Sequence, residues 1–89
     1  EEGLRLYQKA LETWLAIYGE NHPYVAQAYN NIGSATQALG EMRRNHEGIR
    51  QGLDFYQMGL SILNVLHREN PNHPAFAEIY NNIGSAHVA

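Results

Sequence analysis

The sequence predicts an all-α protein: four helices arranged as antiparallel helix-turn-helix pairs in a solenoid segment. Two observations carry this reading. The phrase Tyr-Asn-Asn-Ile-Gly-Ser-Ala occupies residues 29–35 and returns unchanged at 80–86. Self-similarity at a spacing of this size marks repeat architectures. The match extends upstream, where His22-Pro23 and His73-Pro74 stand at the same distance from each copy. Between these landmarks apolar residues recur every three or four positions, the period of a helix face, and no stretch alternates as a strand would.

The first helix is expected over residues 2–18. Leu4, Tyr7, Leu11, Trp14 and Tyr18 line one face, widened by Leu15 and Ile17, with Arg5, Gln8, Lys9 and Glu12 opposite. Gly19 suits a left-handed helix end, and Pro23 suits the first turn of the next helix. Either Asn21 or His22 is placed to cap it. The second helix, from Pro23 to about Leu39, has an apolar face of Val25, Ala28, Tyr29, Ile32, Thr36 and Leu39. A polar stripe of Gln27, Asn30, Asn31, Ser34 and Ala38 runs along its other side. Gly33 costs about 1 kcal/mol against alanine in a helix interior. Close approach of a neighbouring helix is the best reason to keep it.

Residues 41–48, Glu-Met-Arg-Arg-Asn-His-Glu-Gly, are the least regular stretch. They read as an exposed loop, with a helical continuation as the alternative, since only Gly40 and Gly48 interrupt the pattern. The third helix follows over about 49–67. Its stripe is Leu53, Tyr56, Leu60, Leu63 and Leu66 or His67, supported by Ile49, Met58 and Ile62. Gly52 and Gly59 share the face of Tyr56 and again suggest tight contact. After the Asn70-Pro71-Asn72-His73-Pro74 break, the fourth helix repeats the second. Phe76, Ile79, Tyr80, Ile83 and His87 are expected to face inward; Glu78, Asn81, Asn82 and Ser85 are expected to face out.

Composition narrows the function. A chain of 89 residues, 44% hydrophobic and 17% charged, has room for one small domain with a modest core. The net charge of −3 offers no broad basic surface for nucleic acid. There are no cysteines, which excludes disulfides, thiolate catalysis and cysteine-ligated zinc, and fits a reducing, cytoplasmic location. No apolar run approaches the roughly 20 residues that span a bilayer, so no membrane role is expected. The first residue is Glu1 rather than methionine, and a segment of a longer protein is expected.

Catalysis has no candidate. The 5 histidines lack metal-ligand spacing, with no His-x-x-x-His or His-Glu-x-x-His arrangement. His22 and His73 hold equivalent turns and read as structural; His46 and His67 read as isolated. No phosphate loop, nucleophile elbow or carboxylate pair appears. The expectation is therefore a non-enzyme with no metal and no cofactor. Arg43-Arg44, the one basic pair, reads as solvated, and the aromatic residues fall at core spacing rather than as base-stacking platforms.

Tyr29-x-x-Ile32-Gly33 and Tyr80-x-x-Ile83-Gly84 resemble the aromatic-x-x-Leu-Gly opening of a tetratricopeptide repeat. Gly3, Tyr7 and Ala10 match that family's small-aromatic-small positions, as do Gly52, Tyr56 and Gly59. The long unit, its Asn-His-Pro turn and its Tyr-Asn-Asn entry look most like the kinesin light chain variety. The resemblance implies three parts within residues 1–89. Residues 1–21 are the second helix of a preceding repeat. Residues 22–72 form one complete repeat with an insert at 41–48, and residues 73–89 the first helix of the next. Departures are visible: Thr36 and His87 stand where a tyrosine is expected, and Asn64 where a proline often closes the unit. Gly33 to Gly52 spans 19 residues against roughly twelve in the family pattern. The excess of about seven equals about two helical turns, which lengthens a helix without rotating its buried face.

In arrays of this family the first helices line a concave groove, so the resemblance implies a protein–protein interaction scaffold that holds a peptide or helix there. The candidate peptide-binding residues are Gln27, Asn30, Asn31, Ser34, Glu78, Asn81, Asn82 and Ser85. An asparagine amide pairs with a ligand main chain whatever the ligand sequence, because it offers donors and an acceptor. Asn31 and Asn82 match the family position for that role. The lysine and arginine of a chaperone-tail carboxylate clamp are absent, with Gln27, Asn30, Glu78 and Asn81 in their places. Two other readings stay open: a homo-oligomer built through the solenoid's open ends, and a regulatory array attached to an enzyme elsewhere.

Overall fold

The computed structural model describes residues 2–88 and contains four helices in order: α1 (Glu2–Tyr18), α2 (Pro23–Met42), α3 (His46–Leu66) and α4 (Pro74–Val88). No strand occurs among the described residues. The helices form a slab of 38 × 27 × 16 Å. Helix α2 lies at its centre, touching α1, α3 and α4, and α3 also carries α4.

Each junction follows from its sequence. Gly19 takes φ +79 and its amide closes α1 on the Leu15 carbonyl at 3.0 Å. A glycine there avoids the Cβ clash of the left-handed region. Of the two candidate caps, His22 is the one used: its Nδ1 accepts from the Tyr24 amide at 3.1 Å. His73 repeats the device one unit later, accepting from the Ala75 amide at 3.1 Å. Each capping ring is also stacked, His22 on Tyr18 at 3.8 Å and His73 on His67 at 3.7 Å. The two histidines are therefore structural, and His67 is not isolated: it completes the second copy of the same ring pair.

Residues 41–48 do not form a loop. Helix α2 continues to Met42 and α3 begins at His46, so the insert adds about one turn to each. The turn between them is short because Arg44 adopts φ +51 and the Asn45 amide reaches the Gly40 carbonyl at 2.7 Å. Asn45 then caps α3, accepting from the Glu47 amide at 3.0 Å. What holds the extra turns together is backbone contact. A Cβ on Gly40 would sit 2.7 Å from the Ile49 nitrogen, and one on Gly48 would sit 2.8 Å from the Gly40 Cα. The two glycines, which look like helix breakers in sequence, are the contact that lets both helices continue.

The same mechanism operates at the centre of the hairpin. A Cβ on Gly33 would lie 2.7 Å from the Tyr56 ring, and one on Gly52 would lie 2.9 Å from the Gly33 carbonyl. Tyr56, 1% exposed, therefore packs its ring against a helix that has no side chain at that point. Its ring joins Val25, Ala26, Ile62, Leu63, Phe76, Ile79 and Ala86 in one buried cluster. Apolar-face assignments are corrected in three helices: in α1, Tyr7, Ile17 and Tyr18 are exposed and no residue is fully buried. Met58, Tyr80 and His87 are exposed, while Ala86, not singled out by the periodicity, is buried. Tyr80 and His87 lie on a side of α4 that no described helix covers; Met58 borders an open cleft beside Tyr29 and the α1–α2 turn.

Candidate functional site

Helices α2 and α4 lie side by side and present the two polar stripes, and the structure divides their residues into two groups. Gln27, Ser34, Glu78, Asn81 and Ser85 are exposed; Asn31 and Asn82 are half-buried. Asn30 is 5% exposed and so does not face outward. The reason is that α4 closes over it. Asn82 Nδ2 donates to Asn30 Oδ1 at 2.9 Å, satisfying a polar atom that would otherwise be desolvated alone.

A second bridge runs parallel to the first, and the sequence reading did not find it. Gln37 is buried, and its Nε2 donates to Ser85 Oγ at 3.2 Å and to Glu41 Oε2 at 2.9 Å. Its Oε1 accepts from the Tyr56 hydroxyl at 2.7 Å. Burial pushes the Tyr56 phenol above its ordinary range; the Glu41 charge acts in the same direction and Ser34 opposes both. One signal existed in the sequence: Gln37 lies four residues after Gly33, on the face where α3 makes its closest approach. No buried side-chain nitrogen or oxygen among the described residues lacks a partner.

These bridges change what the asparagines can offer a ligand. Asn31 Oδ1 accepts from Gln27 Nε2 at 3.1 Å, which leaves the Asn31 amide donors outward. Asn82 spends a donor on Asn30, which leaves its carbonyl oxygen. Between them they still present N–H donors and a carbonyl acceptor, the complement of a peptide unit. Asn81 and Glu78 make no side-chain hydrogen bond among the described residues.

Above the first bridge the helix starts of α2 and α4 enclose a cleft of about 200 Å³. Ala26, Leu63 and Ile79 give it apolar walls, and Gln27, Asn30 and Glu78 give it a polar edge. That volume is below the roughly 300–1,000 Å³ of small-molecule sites, and suits one side chain of a larger partner. Three of the eight sequence-predicted residues thus meet at one cavity, while Ser34 and Ser85 lie farther along the helices. No group of three or more His, Asp or Glu side chains among the described residues is arranged to hold a metal. No helix among them is long and apolar enough to cross a membrane.

Comparison with known proteins agrees with this architecture. The family model described as Tetratricopeptide repeat matches residues 1–58. A curated relative, a clustered mitochondria protein homolog from Debaryomyces hansenii, is 30% identical over 66 residues, covering 74% of this chain. The chain spans only 4% of that protein's length. No solved structure matches. The duplicated phrase, the glycine-mediated hairpin and the family match give one conclusion: the chain belongs to the tetratricopeptide repeat family.

Proposed function

We propose that this chain is a protein–protein interaction scaffold that holds an extended peptide or a helix across α2 and α4. Tetratricopeptide repeats generally mediate protein–protein interaction. The observation that supports the finer reading is the cleft between the starts of α2 and α4, apolar inside and polar at its edge. One ligand side chain enters it, and the ligand main chain pairs with the Asn31 donors and the Asn82 oxygen. Glu78 at the edge favours a basic neighbour in the ligand. The kinesin light chain-like variety of the repeat, a cytoplasmic location and the lack of enzymatic activity belong to the same reading.

The test is selection of peptides from a displayed random library on the immobilised protein, followed by titration calorimetry. The variant is Asn31→Ala, which removes the Asn31 donors and spares both bridges between α2 and α4. It is expected to weaken a selected peptide at least tenfold, about 1.4 kcal/mol, with an unchanged melting temperature. Unaltered affinity would return the stripe to ordinary solvated surface.

A further inference from the structure

We propose that the first turns of α2 and α4, the two helices that wall the cleft, are held by neutral histidine caps and released when those histidines take up a proton. Pro23 and Ala26 line the cleft from α2, and Ala75 and Ile79 line it from α4. Each of these helix starts is capped by the histidine just before its proline. His22 Nδ1 accepts from the Tyr24 amide at 3.1 Å, and His73 Nδ1 accepts from the Ala75 amide at 3.1 Å. An imidazole nitrogen accepts a hydrogen bond only while it carries no proton. Protonation turns Nδ1 into a donor aimed at a donor. It also places a positive charge at a helix N-terminus, where the backbone dipole disfavours one. A serine or asparagine cap accepts through oxygen and carries no such dependence.

Packing holds each ring where the proton decides the cap. His22 lies on Tyr18 at 3.8 Å and 10°, with Tyr24 edge-on at 5.0 Å. His73 lies on His67 at 3.7 Å and 13°. The turn between these two is tied by its backbone: the Asn70 amide donates to the His67 carbonyl at 2.9 Å, and the His73 amide to the Asn70 carbonyl at 3.1 Å. Two imidazolium rings at that spacing repel, so the closed turn admits one proton where the opened turn admits two. Charged groups nearby do not substitute for the caps. Tyr18 and Tyr24 are phenols, and phenols are uncharged over the range in which imidazole titrates. Glu20 lies in the α1–α2 turn, Arg68 and Glu69 follow His67, and Glu78 lines the cleft; all four are exposed. Among the described residues α2 contributes no charged group to the cleft. A carboxylate offsets the charge of a protonated ring, but it does not return an acceptor to Nδ1.

The device belongs to the free chain and does not rest on the reading of the cleft as a ligand site, so it is tested without a ligand. The measurement is an NMR titration of the isotope-labelled chain from about pH 7.5 to about pH 5, which brackets imidazole protonation. At the upper end the rings of His22 and His73 are expected as the tautomer protonated at Nε2. On acidification the Tyr24 and Ala75 amide signals should move together with the ring signals of their own caps. The order parameters of these two amides should fall from about 0.85 towards 0.6 or below, while Ile32, well inside α2, keeps its value. His22→Asn and His73→Asn supply caps that do not titrate, and each should abolish the response at its own helix. The wild-type titration decides the matter even if a variant does not fold. A neutral ring protonated at Nδ1 overturns the proposal. So does a Tyr24 or Ala75 amide that stays fixed while its ring titrates, or a response that survives the asparagine at that cap.

Discussion

The same seven residues occur in α2 and in α4, and they live in different environments. In α2 the phrase is enclosed: Gly33 lies under the Tyr56 ring, Asn30 is sealed, and Tyr29 is stacked on Phe55. In α4, Gly84 faces open space, Asn81 is exposed, and Tyr80 is 56% exposed. Local sequence is held constant by the repeat, so the difference measures what neighbouring helices contribute. Burial in a solenoid belongs to the stack rather than to the unit.

The largest expected effect contrasts the two glycines. Gly33→Leu forces a side chain into the Tyr56 ring and the Gly52 backbone, and should cost about 3 kcal/mol or more, read by urea denaturation. Gly84→Ala, with nothing to strike, should raise stability by about 0.5–1 kcal/mol through helix propensity. If both changes destabilised equally, α4 would be covered in a way the structure does not show.

Tyr56 is the side chain that makes the difference, and removing its hydroxyl is the next test. Tyr56→Phe keeps the ring over Gly33 but leaves the buried Gln37 oxygen unpaired, a loss of about 2 kcal/mol. The pH dependence is separable. Because burial raises the folded-state pKa above the unfolded value of about 10, stability is intact below that pH. It falls as pH rises through the folded pKa. The phenylalanine variant should lose this alkaline slope in melts recorded between neutral and strongly basic pH.

Smaller again is the asparagine contrast. Asn30→Ala strips the Asn82 amide of its acceptor in a half-buried site and should cost about 1 kcal/mol. Asn81→Ala should change stability by less than about 0.5 kcal/mol, because its side chain is exposed and makes no hydrogen bond among the described residues. The last contrast concerns the turn that lets α3 fold back over α2. Arg44 holds φ +51, a region where a side chain is strained and glycine is not. Arg44→Gly should therefore stabilise by up to about 1 kcal/mol, visible as a modest rise in melting temperature.

Much of the architecture is legible without coordinates because the repeat supplies an internal control. Helix positions, the Gly33, Gly52 and Gly59 contacts and the apolar stripes of α2 and α3 follow from periodicity. Two things do not. The 41–48 stretch reads as a loop because glycine is a poor helix former. Its two glycines are instead the contact between extended helices, a tertiary effect that propensity does not contain. The polar stripe reads as uniformly outward because a helical wheel knows one neighbour, whereas α2 has three. Asn30 and Gln37 lie where α4 arrives, so they become bridges rather than outward-facing groups. Repeating Tyr-Asn-Asn thus does structural work between first helices before it can do any binding.

Native-state hydrogen exchange tests the central comparison most directly, at concentrations where the chain is monomeric. The amides of Ile32 and Gly33 in α2 should exchange only through global unfolding. Those of Ile83 and Gly84, in the same sequence context, should exchange through local opening of α4, faster by about a hundredfold or more. Equal protection of the two copies would contradict the account, because it would mean that the phrase itself, and not its neighbours, sets its stability.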